Sequence, residues 1–283
     1  MTRLPFALTG CHHHHACRGS RARDSEHVGG GVKVSTDSSL GGVLLALGAT
    51  ARKDASGLER LSVAADAAVL VEFTGRAGVG RSTLVAALGS VDGAEIVESA
   101  ARDRPGSVDP VLTGEVVVLV VLDPPRDVDR AAAAEAAGRL VPVLAKTDTL
   151  TDPDRALARA ASALEAPCLP VTTVGPDTGL PRLRTALDDR VRVIRAARAA
   201  ELLSHLRTIA DRNGARAAVD DFLACDEGVR LAARATGLAS PDGDAQTRAR
   251  YWRTRMNTEQ DPDAVRAAVA LHRDAVREWA RNA

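Results

Sequence analysis

The feature that most constrains the fold is a glycine-rich stretch between two apolar segments. It reads Gly75-Arg76-Ala77-Gly78-Val79-Gly80-Arg81-Ser82-Thr83. The apolar run before it, residues 68–74, has the length and composition of a buried strand, and residues 84–88 after it are typical of a helix. A strand, a tight loop and a helix in this order predict the first unit of a parallel sheet.

The same stretch has the composition of a loop that holds phosphate. It matches the pattern G-x-x-x-x-G-K-[ST] except that Arg81 stands where the pattern has lysine. Ser82 is placed to bring its hydroxyl to Mg²⁺. Because a guanidinium is cationic but longer and planar, we expect phosphate binding in weakened form. The alternative is a glycine-rich turn without a ligand. The predicted phosphate-binding residues are Gly75, Gly78, Val79, Gly80, Arg81, Ser82 and Thr83.

Beyond the loop, apolar runs alternate with helical segments. Runs at 115–123, 140–145 and 169–173 read as strands, and helical segments separate them. Residues 96–102 make a poor buried strand. This alternation predicts an α/β fold with a mostly parallel sheet flanked by helices. After Arg190 the chain reads as helices only, which predicts a C-terminal α-helical appendage at 191–283.

From residue 68 to about 190 the chain resembles the G domain of the P-loop GTPase superfamily. Its opening looks like that of Era-like and dynamin-like members. Ala145-Lys146-Thr147-Asp148 is similar to the family's [NT]-K-x-D motif. The resemblance implies that Asp148 accepts hydrogen bonds from guanine N1 and N2, and that the Lys146 stem lies over the base. Thr172-Thr173-Val174 fits the next motif loosely, with Thr173 offering its backbone N–H to the base.

Asp103-Arg104-Pro105-Gly106 matches the form D-x-P-G of another motif of this family. By resemblance, Asp103 holds Mg²⁺ through water, and the Gly106 N–H senses the γ-phosphate. Gly106 and Arg81 are therefore the candidate catalytic residues. A Pro-Gly turn without a ligand is the competing interpretation. Asp123, which ends the strongest apolar run, is a rival metal-binding aspartate.

Three functional hypotheses remain open. The first is a guanine-nucleotide-binding switch with slow or impaired GTP hydrolysis, using Mg²⁺ with GTP or GDP. The second is a pseudo-GTPase that binds a protein partner through residues 191–283. The third is an ATP-binding P-loop protein that uses Asp123. Arg81, Ala145 and the short interval between Ser82 and Asp103 favour the second.

Composition bounds the remaining possibilities. Lysine and arginine number 37, aspartate and glutamate 37, and aromatic residues make up 2%, so we expect no nucleic-acid partner. No apolar run approaches a transmembrane length, although peripheral membrane contact stays open. Scattered cysteines predict a reducing, cytoplasmic location.

The first 67 residues are predicted separately, because they precede the α/β segment. Residues 1–31 read as disordered or as preceding a true start at Val32, and 32–67 as a helical lead-in. The Cys/His tract at 11–17 is either a metal site or a tract that binds metal adventitiously.

Overall fold

The centre of the fold is an all-parallel sheet. The computed structural model describes residues 39–47, 52–106, 108–213, 215–238, 241 and 243–282, which belong to one compact unit, Thr36–Ala283. The predictions for residues 1–31 lie outside these residues. The strands pair in the order β2-β1-β3-β4-β5. They are β1 Val69–Gly75, β2 Ala94–Glu98, β3 Val116–Val121, β4 Leu140–Ala145 and β5 Leu169–Val171. The predicted α/β class is confirmed.

Helices flank the sheet and make up the chain after it. The helices that precede the sheet in the chain are α1 Leu40–Leu47 and α2 Arg52–Asp66, and those that flank it are α3 Arg81–Leu88, α4 Asp127–Glu135 and α5 Pro153–Ala163. The later helices are α6 Leu180–Asn213, α7 Arg216–Ala224, α8 Asp226–Ala235, α9 Ala245–Thr258 and α10 Pro262–Asn282. The helical C-terminal region is therefore as predicted. None of the helices in the described ranges is long and apolar enough to cross a membrane.

The boundary predicted after Arg190 lies inside α6. This helix has 34 residues, and after Pro181 in its first turn it contains neither glycine nor proline. Because those are the residues that end or kink a helix, nothing interrupts it between the sheet and the C-terminal helices. One rigid element thus joins the two regions that the sequence divides.

Both faces of the sheet are buried, as expected for parallel strands. Val118 and Val120 of β3 face a core shared with α3 and the start of α6. Their neighbours Leu119 and Val121 face α4 and α5. Within the described residues the edge strand β2 pairs with β1 alone, and it is at most half-buried, which explains its weak apolar signal.

A second core joins the helices at the beginning of the described chain to α6, α7 and α8. Leu58 of α2 is fully buried in one cluster with Leu206 of α6 and Phe222 of α7. The predicted helical lead-in therefore shares its core with the C-terminal helices. Amphipathic periodicity shows that each helix has an apolar face, but it does not show which faces meet.

Thr74 of β1 carries a buried hydroxyl whose hydrogen-bonding capacity is unused. The residue is fully buried, and its Oγ1 has no hydrogen-bond partner in the described part of the chain. Since an unsatisfied buried polar group is destabilising, Thr74→Val is expected to raise the free energy of unfolding by about 1 kcal/mol. Urea denaturation measures the change. The matched control is Thr172→Val, which removes a buried hydroxyl that is hydrogen-bonded and should be destabilising. An equal decrease in the free energy of unfolding in both variants would contradict the conclusion that the Thr74 hydroxyl is unsatisfied.

Candidate functional site

The carboxyl edge of the sheet brings the predicted motifs together. In a parallel sheet all strands end at the same edge, where ligands bind in this class of fold. The glycine-rich loop 75–83 follows β1, residues 146–148 follow β4, and residues 172–174 follow β5. Segments that lie far apart in sequence thus become neighbours at one end of the fold.

A cavity of about 260 Å³ lies between the loop and the segments after β4 and β5. It is smaller than the roughly 300–1,000 Å³ of ligand pockets in general, which suits a single ring system better than a whole nucleotide. Val79, Gly80 and Thr83 line it on the loop side. Ala145, Lys146, Asp148, Thr172, Thr173 and Val174 are among the residues that line it on the other side.

Lys146 connects the two sides of this cavity. Its Nζ donates a hydrogen bond to the carbonyl oxygen of Gly78 at 2.9 Å, so its stem spans from the end of β4 to the loop. Its backbone is left-handed, with φ 57°. Thr149 holds that turn, because its N–H and its hydroxyl both donate to the Lys146 carbonyl oxygen, at 3.1 and 2.8 Å. The lysine is thereby oriented before any ligand arrives.

The carboxylate of Asp148 is oriented by Thr172, the residue of the predicted motif 172–174 to which no role was assigned from the sequence. Thr172 donates from Oγ1 to Asp148 Oδ1 at 2.6 Å, and the same hydroxyl accepts from the backbone N–H of Val174 at 3.1 Å. Thr173, whose backbone N–H was predicted to contact the base, also lines the cavity, and it is exposed, as Lys146 and Asp148 are. The pairing of Ala145 with Val171 puts Thr172 beside the segment that follows β4. This register between β4 and β5 is a structural observation, and no local sequence pattern indicates it.

Arg81 turns toward the end of β2. Its Nη1 donates to the carbonyl oxygen of Ser99 at 2.6 Å, and its Nη2 lies 3.6 Å from Glu98 Oε1. The side chain is only 10% exposed. The guanidinium holds the start of α3 to β2, and it would have to leave these contacts to reach a phosphate in the loop.

Ser82 and Asp103, the predicted Mg²⁺ ligands, make hydrogen bonds to different groups. Ser82 donates from Oγ to Glu98 Oε1 at 2.9 Å, and Asp103 Oδ1 accepts from the backbone N–H of Ala77 at 2.7 Å. Adjacent ligands of octahedral Mg²⁺, with Mg–O distances of about 2.0–2.1 Å, lie about 3 Å apart. The distance between Ser82 Oγ and Glu98 Oε1 is compatible with this spacing, but it is also the ordinary length of their hydrogen bond. The described residues contain no cluster of three or more His, Cys, Asp and Glu side chains suited to a metal ion. Mg²⁺ usually binds through one or two carboxylates plus water and phosphate oxygens, so such a cluster is not required.

Gly106 and Asp123, the candidates for a phosphate contact and for an alternative metal ligand, are less well placed for these roles. Gly106 has φ 76°, a conformation that favours glycine, and it is exposed in a turn after β2. No hydrogen bond joins it to the loop among the residues that the structure describes. The carboxylate of Asp123 is occupied by Arg159 of α5, with Nε–Oδ1 at 3.2 Å and Nη2–Oδ2 at 2.5 Å. This pairing reduces its availability to a metal ion.

Glu135, at the end of α4, organises the connection between β2 and β3. It accepts from the backbone N–H of Leu112 at 2.8 Å and from Arg102 Nη2 at 2.7 Å. The Leu112 hydrogen bond is the largest cause that holds the pKa of Glu135 below its ordinary value, and Arg102 adds to it. The stabilisation is therefore complete above pH 4.5, the ordinary value, and is lost as pH falls through the lowered pKa.

Glu135→Gln is accordingly expected to lower the free energy of unfolding at pH 7 by less than about 1 kcal/mol. The deficit relative to wild type should shrink as pH falls below 4.5, because the wild-type carboxylate then becomes protonated as well. Urea denaturation at neutral pH and at about pH 4 measures both values. A deficit that stays constant or grows in acid would contradict the prediction.

The fold and the site define an α/β protein with an all-parallel sheet and, at its carboxyl edge, a mostly apolar cavity that a few polar side chains line. The chain matches no protein-family model, and no curated protein is significantly similar to it. Function is therefore inferred from the geometry of the site.

Proposed function

We propose that this protein binds guanine nucleotides, with the base in the cavity between the loop 75–83 and the segments after β4 and β5, and that it hydrolyses GTP slowly or not at all. The observation that carries the proposal is the position of Asp148. Its carboxylate, oriented by Thr172, lines the same cavity as the glycine-rich loop, to which Lys146 connects it.

Guanine is the base that suits this carboxylate. It offers two neighbouring donors, at N1 and N2, whereas adenine has no equivalent pair. Asp148 is exposed without a ligand, and a base in the cavity would cover it. A polar group that is buried without a matching partner costs about 1–3 kcal/mol, which is enough to discriminate between the bases. Val79, Leu84 and Val171 supply apolar surface for the ring faces. The loop N–H groups and the start of α3 would bind the phosphates.

Slow hydrolysis is proposed because the charge-stabilising groups are poorly placed. Phosphoryl transfer depends on positioning and on electrostatic stabilisation of the transferring group. Arg81 is committed to Ser99 and Glu98, and Gly106 makes no hydrogen bond to the loop in the described structure. Ser82 and Glu98 would hold Mg²⁺ together with phosphate oxygens, with Asp103 as a ligand through water. The ion would supply charge neutralisation.

Titration calorimetry with GTP, GDP and ATP, in Mg²⁺ and in EDTA, tests this proposal. We expect both guanine nucleotides to bind, with ATP at least about tenfold weaker, and phosphate release to be slow. Binding of no nucleotide would contradict the proposal and support the pseudo-GTPase hypothesis. A preference for ATP would contradict it and support the hypothesis that relies on Asp123.

The pseudo-GTPase is the second candidate function, and the commitment of Arg81 favours it. In this alternative the helical region 191–283 binds a protein partner without nucleotide control. Exposed aromatic side chains are available there, since Tyr251 is 40% and Trp279 45% exposed.

A further inference from the structure

A buried ion pair ties the glycine-rich loop to α4. Arg76, the second residue of the loop, donates from Nε to both carboxylate oxygens of Asp129, at 3.2 and 3.0 Å. The two side chains are 8% and 1% exposed. Asp129 Oδ2 also accepts from the backbone N–H of Arg126 at 2.8 Å, which fixes the carboxylate to the first turn of α4. The same bonds direct Arg76 toward α4.

The neighbouring loop residues are held by the segment after β2. The backbone N–H of Arg102 donates to the Gly75 carbonyl oxygen at 3.2 Å, and Asp103 accepts from the Ala77 N–H at 2.7 Å. The Arg102 side chain in turn pairs with Glu135 of α4 at 2.7 Å. Both sets of contacts to residues 75–77 therefore lead back to one helix.

The consequence of losing the Asp129 charge follows from its burial. A buried ion left without its partner is strongly unfavourable, so Arg76 would move toward solvent and carry the loop backbone with it. Phosphate affinity depends on several N–H groups that point at one place, and such alignment is sensitive to small displacements of the backbone.

We propose that Asp129 is a positioning residue: through Arg76 it fixes the backbone of the phosphate loop, and the affinity for nucleotide phosphates depends on it. The dependence of nucleotide affinity on Asp129 rests on the proposed function, whereas the positioning of the loop backbone by Asp129 does not. The variants that test it are Asp129→Asn, Arg76→Gln and the double variant. The matched control is Asp127→Asn, also in the first turn of α4, which removes an exposed carboxylate that pairs with Arg130.

The first experiment needs no nucleotide. Amide hydrogen exchange of the full chain is measured for peptides that cover residues 75–83. We expect exchange about tenfold faster in Asp129→Asn, no faster in the double variant than in the single ones, and unchanged in the control. Peptides from α9 and α10 should exchange as in wild type. Unchanged loop exchange, or faster exchange throughout the chain, would overturn the positioning role.

The second experiment is a GDP titration of the same variants. Asp129→Asn should weaken GDP binding about tenfold. The ratio of the GDP affinity to the ADP affinity should stay at the wild-type value, because the segments proposed to contact the base are unchanged. Unchanged GDP affinity with a faster-exchanging loop would overturn the link to affinity. If wild type binds neither nucleotide, the proposed function fails and so does that link. The exchange experiment still decides whether Asp129 positions the loop.

Discussion

Replacing Asp148 by alanine is expected to weaken GDP binding about 100-fold and to bring GDP and ADP to similar affinities. The carboxylate is the acceptor that would receive both guanine donors, and hydrogen bonds to a charged group contribute about 1.5–3 kcal/mol each. The variant also leaves Thr172 without its 2.6 Å acceptor. Titration of each nucleotide into wild type and variant measures the two affinities and their ratio.

The matched control for this prediction is Asp154→Ala. Asp154 is exposed in the first turn of α5, close in sequence but outside the residues that line the cavity. It should leave both affinities at the wild-type values. A preference for GDP over ADP that survives Asp148→Ala would show that another group selects the base.

Replacing Arg81 by lysine is expected to tighten GTP binding by about tenfold or more. Lysine carries a compact ammonium on a flexible stem and cannot reproduce the planar contacts with Ser99 and Glu98. Its charge would be free to turn into the loop, where a charge-assisted hydrogen bond to phosphate is favourable by about 1.5–3 kcal/mol. GTP titration measures the gain, and phosphate release shows whether turnover rises with it.

Arg184→Lys is the matched control. Arg184 lies on α6 and contacts the end of α3, whereas Arg81 is at the start of α3. Arg184 donates to the carbonyl oxygens of Leu88 and Ser90, so this substitution also removes guanidinium contacts to α3 and the residues after it. It should not change GTP affinity. Weaker GTP binding by Arg81→Lys would contradict the account, because it would mean that the native guanidinium already contributes to phosphate binding.

The sheet was predictable because buried parallel strands are continuous apolar runs. Residues 68–74 and 115–123 were predicted as strands, and β1 and β3 occupy Val69–Gly75 and Val116–Val121. The loop between β1 and α3 was predictable because glycine spacing is a local signal. That the motifs after these strands share the carboxyl edge then follows from the alternation of strands and helices, which makes the strands parallel.

The contacts that orient the site were not predictable. Arg76 and Asp129 are separated by 53 residues, and neither is distinguishable in the sequence from a solvated surface charge. Recognising that the Thr172 hydroxyl orients Asp148 requires the register between β4 and β5. The direction of Arg81 depends on where β2 ends, and β2 is the strand with the weakest apolar pattern. Pairings between distant elements decide these points, and local periodicity carries no information about them.

The most direct test of the account is amide hydrogen exchange of the wild-type chain with and without GDP. If the cavity is the nucleotide site, GDP slows exchange in the loop 75–83 and in residues 146–149 and 172–174 together, whereas ADP at the same concentration has little effect. Protection confined to other parts of the chain, or equal protection by both nucleotides, would contradict the claim that these segments form one guanine-nucleotide site.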